Sequence, residues 1–129
     1  MSAETIHKVV ADYFRATRSM DVEAWLATFA IDAISHDPVG GPPLEGKESL
    51  CQFFAGIVGA FETVGLTEDN IFISGNGAAV KWTGQGVGKN GREVTFEGID
   101  VFEINDDGKI QTMWAYWNPA AMMAEMQGS

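Results

Sequence analysis

Two carboxylates and a phenol stand out in this chain because of the company they keep. Asp37 lies in Ser35-His36-Asp37-Pro38-Val39-Gly40-Gly41-Pro42, where a short extended segment gives way to a turn. An aspartate before proline is commonly a turn former: proline holds the preceding residue extended, and the two glycines let the chain reverse. Asp37 gains chemical interest only if other polar groups converge on it. Asp100 is the sharper case. Period-two alternation puts Val94, Phe96, Gly98, Asp100, Phe102 and Ile104 on one strand face, apolar except for Asp100. A carboxylate in such surroundings must be ion-paired, hydrogen-bonded or protonated, because an isolated buried charge is very expensive. The structural alternative is a bulge that turns Asp100 outward, or a dimer contact that uses both faces. Tyr13 falls on the apolar stripe of a helix, where a tyrosine usually packs and donates its hydroxyl to a backbone carbonyl.

The elements that must position these residues are legible from periodicity and punctuation. Ser2 caps a first helix to about Arg18, with Ile6, Val9, Val10, Tyr13, Phe14 and Thr17 at helical spacing. Asp21 caps a shorter second helix with Val22, Trp25, Leu26 and Phe29 on one side, and Ala33 to Asp37 reads as a short strand. Leu50, Phe53, Phe54, Ile57, Val58 and Phe61 mark a third helix from about Gly46 to Phe61. Turn signals at Gly75-Asn76-Gly77, Lys89-Asn90-Gly91 and Asn105-Asp106-Asp107-Gly108 then separate extended segments at 66–74, 78–88, 92–104 and 109–117. Hairpin-length turns imply an antiparallel meander, so the expected fold is α+β: three N-terminal helices on one face of a curved, mainly antiparallel sheet. The methionine-rich tail after Pro119 is a short helix or a frayed end. His36 alternates away from Ala33, Ser35 and Asp37 as a solvated strand residue, and Cys51 on the shoulder of the third helix is packing.

The bulk numbers narrow the function classes. A chain of 129 residues, 46% hydrophobic and 20% charged, forms one domain (1–129) with a real core. A formal charge of −10 argues against phosphate-rich partners, so neither nucleic acid nor an anionic membrane is expected. One cysteine excludes an intrachain disulfide, and two histidines with that one cysteine argue against a zinc site, so no metal is expected. No leader and no bilayer-length apolar run is visible, which makes the cytoplasm the expected compartment. There is no glycine-rich phosphate loop and no Gly-x-Ser-x-Gly.

Four stretches carry a resemblance that runs nearly end to end: VVADYF around Tyr13, HDPVGGPPLEGKESL around Asp37, EGIDVFEI around Asp100, and DGKIQTMWAYW near the C-terminus. The chain resembles the bacterial steroid Δ5-3-ketoisomerases, of the cystatin-like, nuclear transport factor 2-like (SnoaL-like) cone fold. The resemblance implies an enzyme without cofactor that moves a β,γ-unsaturated ketone to the conjugated enone through a dienolate, the family that illustrates carboxyl pKa tuning. Asp37 matches the base that shuttles the proton; Tyr13 and a protonated Asp100 match the donors to the dienolate oxygen. Phe54, Phe96, Phe102, Met113, Ala115 and Trp117 are the expected walls for a small, apolar, ring-shaped ketone, and a homodimer is expected. Core packing is an equally good account of each wall residue taken singly.

The departures are Phe54 where some relatives carry a supporting tyrosine, His36 where glutamate is common, and Gly98 where a larger apolar residue would narrow the pocket. If Lys81 faces inward it pairs with Asp100; if Val80 and Trp82 do, it cannot. Rival readings are a polyketide cyclase or aldol-type enzyme of the same fold, and a silent binding module. Epoxide hydrolysis would want an Asp-Arg-Asp set that Arg15, Arg18 and Arg92 do not readily supply.

Overall fold

The computed structural model describes residues 2–128. Its elements are α1 (Ala3–Arg18), α2 (Val22–Ala27), β1 (Phe29–His36), β2 (Leu44–Glu45), α3 (Gly46–Ala60), β3 (Phe61–Ser74), β4 (Gly77–Gly88), β5 (Glu93–Ile104), β6 (Ile110–Trp117) and α4 (Pro119–Gln127). Helix starts follow local chemistry. The Ser2 hydroxyl accepts from Thr5 N, Asp21 from Ala24 N and Asn118 from Ala121 N, each satisfying a backbone donor that the first turn leaves free.

One six-stranded sheet runs in the order β2-β1-β6-β5-β4-β3. The meander β3-β4-β5-β6 is antiparallel throughout, and β1 joins β6 in parallel. The inner face and the helices enclose a single main core in which Ile6, Val10, Phe14, Leu50, Ile110 and Met113 are fully buried. The α+β architecture is the expected one, with the tail forming a fourth helix that buries Met122 and Met126 against Phe61, Val64 and Val94.

Three boundaries differ from the sequence reading. Helix α2 ends at Ala27, and Phe29 opens β1 instead of closing the helix. Thr28 caps the turn through its hydroxyl to Trp25 O at 2.7 Å, and its carbonyl accepts from Ile110 N at 2.8 Å, which draws Phe29 into the sheet. Strand β1 therefore spans Phe29–His36 rather than Ala33 to Asp37, and the register shift between Phe29 and Ile34 breaks its alternation. Strand β3 begins at Phe61, not Leu66, because β4 pairs with it over its whole length, from Phe61↔Gly88 to Ser74↔Gly77.

The phase of β4 settles the question posed by Lys81. Ala78, Val80 and Trp82 are buried, so Lys81 points to the outer face and pairs with Asp69 at 3.2 Å. Gly98 does not widen the pocket. A Cβ there would lie 2.6 Å from Trp82 Cζ2 and 2.7 Å from Trp117 Cβ, so neighbouring tryptophans already fill that space. No described helix is long and apolar enough to cross a membrane.

Candidate active site

Residues of α1, α2, α3 and α4, of the first half of β3 and of the inner face of β4–β6 surround a cleft of about 590 Å³ including its mouth. The space is a narrow slot between Phe54, Phe96, Trp25, Trp82 and Trp117. Tyr13, Asp37, Asp100, Phe54, Phe96 and Trp117 all line it. Phe102, Met113 and Ala115 do not. They share the inner face, but Phe102 packs edge-on against Tyr13 and Phe14 under α1, and Met113 and Ala115 are sealed in the core behind Asp100. These three expected wall residues belong to the cleft's support.

Each polar group is placed by a simple local device. Asp37 directly follows His36, the last residue of β1, which pairs with Trp114 on β6, and the Asp37–Pro38 peptide bond is cis. The Trp117 indole donates to Asp37 Oδ1 at 2.7 Å. Although the residue as a whole is only partly buried, its carboxyl lies among apolar walls, and that desolvation lifts its pKa to about 6 against the opposing pull of Trp117. Asp100 lies on the same inner face as Val94, Phe102 and Ile104, opposite Ala115 on β6 and Val80 on β4. It is 1% exposed, and its Oδ2 has no hydrogen-bond partner among the described residues. Burial, and then the charge of Asp37, push its carboxyl well above the usual carboxylate range. Asp37 thus ionises first, and its charge further opposes ionisation of Asp100. Tyr13, 3% exposed, is raised by burial and by both aspartates, so it stays a phenol.

One slot walled mostly by apolar side chains thus holds a carboxyl with a pKa of about 6, a phenol, and a second carboxyl that burial raises further. Environments that push titratable groups apart in this way are how a single site holds a base and an acid together. His36 faces away, its ring stacked with Trp114 at 6.0 Å. Among the described residues no cluster of three or more His, Cys, Asp or Glu side chains is suited to a metal. The sequence reading missed Trp25 and Trp82 as cleft residues. Trp25 stacks on Phe54 at 4.7 Å, and Trp82 was legible once Val80 faced inward, since the two share a strand face.

Residues 10–113 match the SnoaL-like domain. The chain belongs to the SnoaL-like family. Within it, this SnoaL-like chain is 30% identical over 123 residues to a steroid Δ-isomerase of Nocardioides simplex, a match that spans 95% of this chain and 97% of that protein. Its fold superposes on the Δ5-3-ketosteroid isomerase from Mycobacterium sp. with a TM-score of 0.79 at 25% identity, covering 88% of this chain and 93% of that one. It superposes equally well, at a TM-score of 0.81 and 27% identity over 90% of this chain and 92% of the other, on SalBIII, an epoxide hydrolase/cyclase-like enzyme of pyran ring formation in salinomycin. The nuclear transport factor 2-like cone and the isomerase and cyclase relatives place this protein among the enzymes of the family.

Proposed function

We propose that this SnoaL-like protein isomerises a β,γ-unsaturated ketone to the conjugated enone. One observation carries the reading: Tyr13, an Asp37 carboxyl with a pKa of about 6 and a buried Asp100 carboxyl raised well above the usual range line the same slot. Asp37, ionised above about pH 6, removes a proton from the carbon between ketone and alkene. That C–H bond breaks, and its electron pair spreads through the alkene and carbonyl to make a dienolate. Tyr13 and Asp100 donate to the oxygen that gains charge, among walls that are mostly apolar, where such hydrogen bonds gain most. Asp37 then delivers its proton to the far end of the dienolate. The double bond has moved and nothing has been oxidised or reduced. Trp117 holds Oδ1, which fixes the carboxylate between the two carbons it must reach.

A flat, apolar ring ketone suits a slot walled by Phe54, Phe96 and Trp117, and steroids belong to that class. The outer sheet face, where exposed Ile99 and Tyr116 are cross-strand partners, supports a homodimer through that surface. The cytoplasm suits a chain with one unpaired cysteine.

The test is to incubate the protein with a Δ5-3-ketosteroid and follow the ultraviolet absorbance of the conjugated enone. Turnover that disappears in Asp37→Asn is the expected result; a wild-type protein that produces no enone even at stoichiometric concentration contradicts the reading. A second reading, acid-base ring closure on a hydroxy-epoxide, draws on the SalBIII likeness, and the same Asp37 and protonated Asp100 would serve it. No arginine lines the slot among the described residues. Arg15 pairs with Asp12 and Arg18 with Glu68, which favours the ketone reading over water attack on an epoxide.

A further inference from the structure

Two buried polar atoms near Asp100 are left without partners: its own Oδ2 and the indole Nε1 of Trp82. An indole N–H can only donate, and a buried donor without an acceptor costs free energy that a packed core avoids. The sheet register brings the two groups together. Trp82 on β4 stands opposite Gly98 on β5, and Asp100 is the next inward-facing residue along β5, its diagonal neighbour on the same face. Gly98 makes this possible. Its missing side chain leaves room for the Cζ2 edge of the indole, the edge adjoining Nε1, to lie across the strand. Phe96 and Trp117 hold the ring from its other sides, at 5.9 Å and 6.1 Å between centroids. A phenylalanine would fill most of that volume without bringing an N–H to the acid.

We propose that Trp82 is a positioning residue for Asp100: its indole N–H closes onto one carboxyl oxygen, so that the other carries the proton and aims it at the ligand oxygen. This rests on the isomerase reading for its purpose, but not for its test. The N–H already lies close enough to favour the ionised form of Asp100 slightly, while falling short of hydrogen-bond geometry. Ligand in the slot supplies the acceptor that orients the acid's proton, and the indole takes the oxygen left over. The titratable groups that face Asp100 among the described residues are Tyr13 on α1 and Asp37 at the end of β1, and no cation does.

The experiment follows the Asp100 carboxyl carbon by ¹³C NMR through a pH titration, in wild type, in Trp82→Phe, and in a protein with benzothienylalanine at position 82. That analogue keeps the bicyclic shape and replaces the N–H with sulfur, so it reports on the donor even if Trp82→Phe folds poorly. Loss of a donor that favours the carboxylate should raise the Asp100 midpoint by about one pH unit, the size of a single hydrogen bond to an ionised group. In an activity assay the alkaline limb of kcat/KM should move up by the same amount while KM changes little. An unchanged Asp100 midpoint in the folded analogue protein overturns the proposal and leaves Trp82 as packing. The titration needs no turnover, so a wild type that fails to isomerise any ketone would refute the isomerase reading, while the midpoint shift alone decides the role of Trp82.

Discussion

Asp69 and Asp100 lie on strands that flank β4 on either side, and the same residue type meets opposite fates there. Asp69, on the outer face, accepts from the Thr83 hydroxyl at 2.6 Å and from Lys81 at 3.2 Å, and these two partners hold its carboxyl below the usual range. Asp100, on the inner face, meets Trp82 and Val80 from the same strand and is pushed well above that range by burial. What separates them is the phase of β4. Because side chains alternate between the two faces of the sheet, a strand that turns Lys81 and Thr83 outward beside Asp69 must turn Val80 and Trp82 inward beside Asp100. One face makes a solvated ion pair, and the other buries a carboxyl and so favours its neutral form.

The largest effect expected from breaking this contrast lies at Asp37, the proposed base, whose charge acts on Asp100. Asp37→Asn cannot accept a proton, so kcat/KM on a β,γ-unsaturated ketone should fall by about 10²- to 10⁴-fold, with 2-naphthol, a neutral mimic of the dienol, still binding by fluorescence titration. At Asp100 itself, alanine removes the donor and opens a cavity, and should cost about 10²- to 10³-fold in kcat, whereas asparagine keeps a donor of similar shape and should cost far less. Equal losses in two equally folded variants would make Asp100 a structural residue.

A smaller effect falls on stability, and its sign follows from burial. Asp37 has a folded pKa of about 6, above the ordinary carboxylate value, so the folded state is favoured while the group is protonated. That advantage is complete at acid pH and is lost as pH rises through about 6. Asp37→Asn should therefore stabilise the fold at mildly alkaline pH by about 1–3 kcal/mol, with no gain at acid pH, as measured by urea unfolding. In wild type the same ionisation switches activity on, so kcat/KM should rise through about pH 6 and decline at alkaline pH as Asp100 or Tyr13 loses its proton. The smallest effect is on the other side of β4. Asp69→Asn removes an exposed partner of Lys81 and should leave both kcat/KM and the thermal midpoint essentially unchanged.

Much of the site was readable because alternation is a strong signal where one face is buried. Asp100 among Val94, Phe96, Phe102 and Ile104 needed only the period of a strand, and Tyr13 only the stripe of a helix. The phase of β4 was not readable, since Ala79, Lys81 and Thr83 on one face and Val80 and Trp82 on the other are decided by pairing with β3 and β5. Phe29 was assigned to a helix because its spacing from Trp25 suits one, but the Thr28 cap and the pairing with Ile110 outweigh that spacing. Phe102, Met113 and Ala115 were expected to touch ligand because they share the right face. Depth along that face, set by where α1 packs, cannot be read from alternation. Gly98 looked like missing volume and is a seat for Trp82, a contact between strands that no local pattern reveals.

The central claim is that Asp100 is a neutral acid at neutral pH while Asp69 is ionised. Infrared difference spectroscopy between wild type and Asp100→Asn at neutral pH tests it most directly. The account predicts a protonated-carboxyl C=O band in wild type that shifts on deuteration and is absent from the variant, with no such band lost in Asp69→Asn. A wild-type spectrum in which Asp100 contributes only carboxylate bands would contradict it.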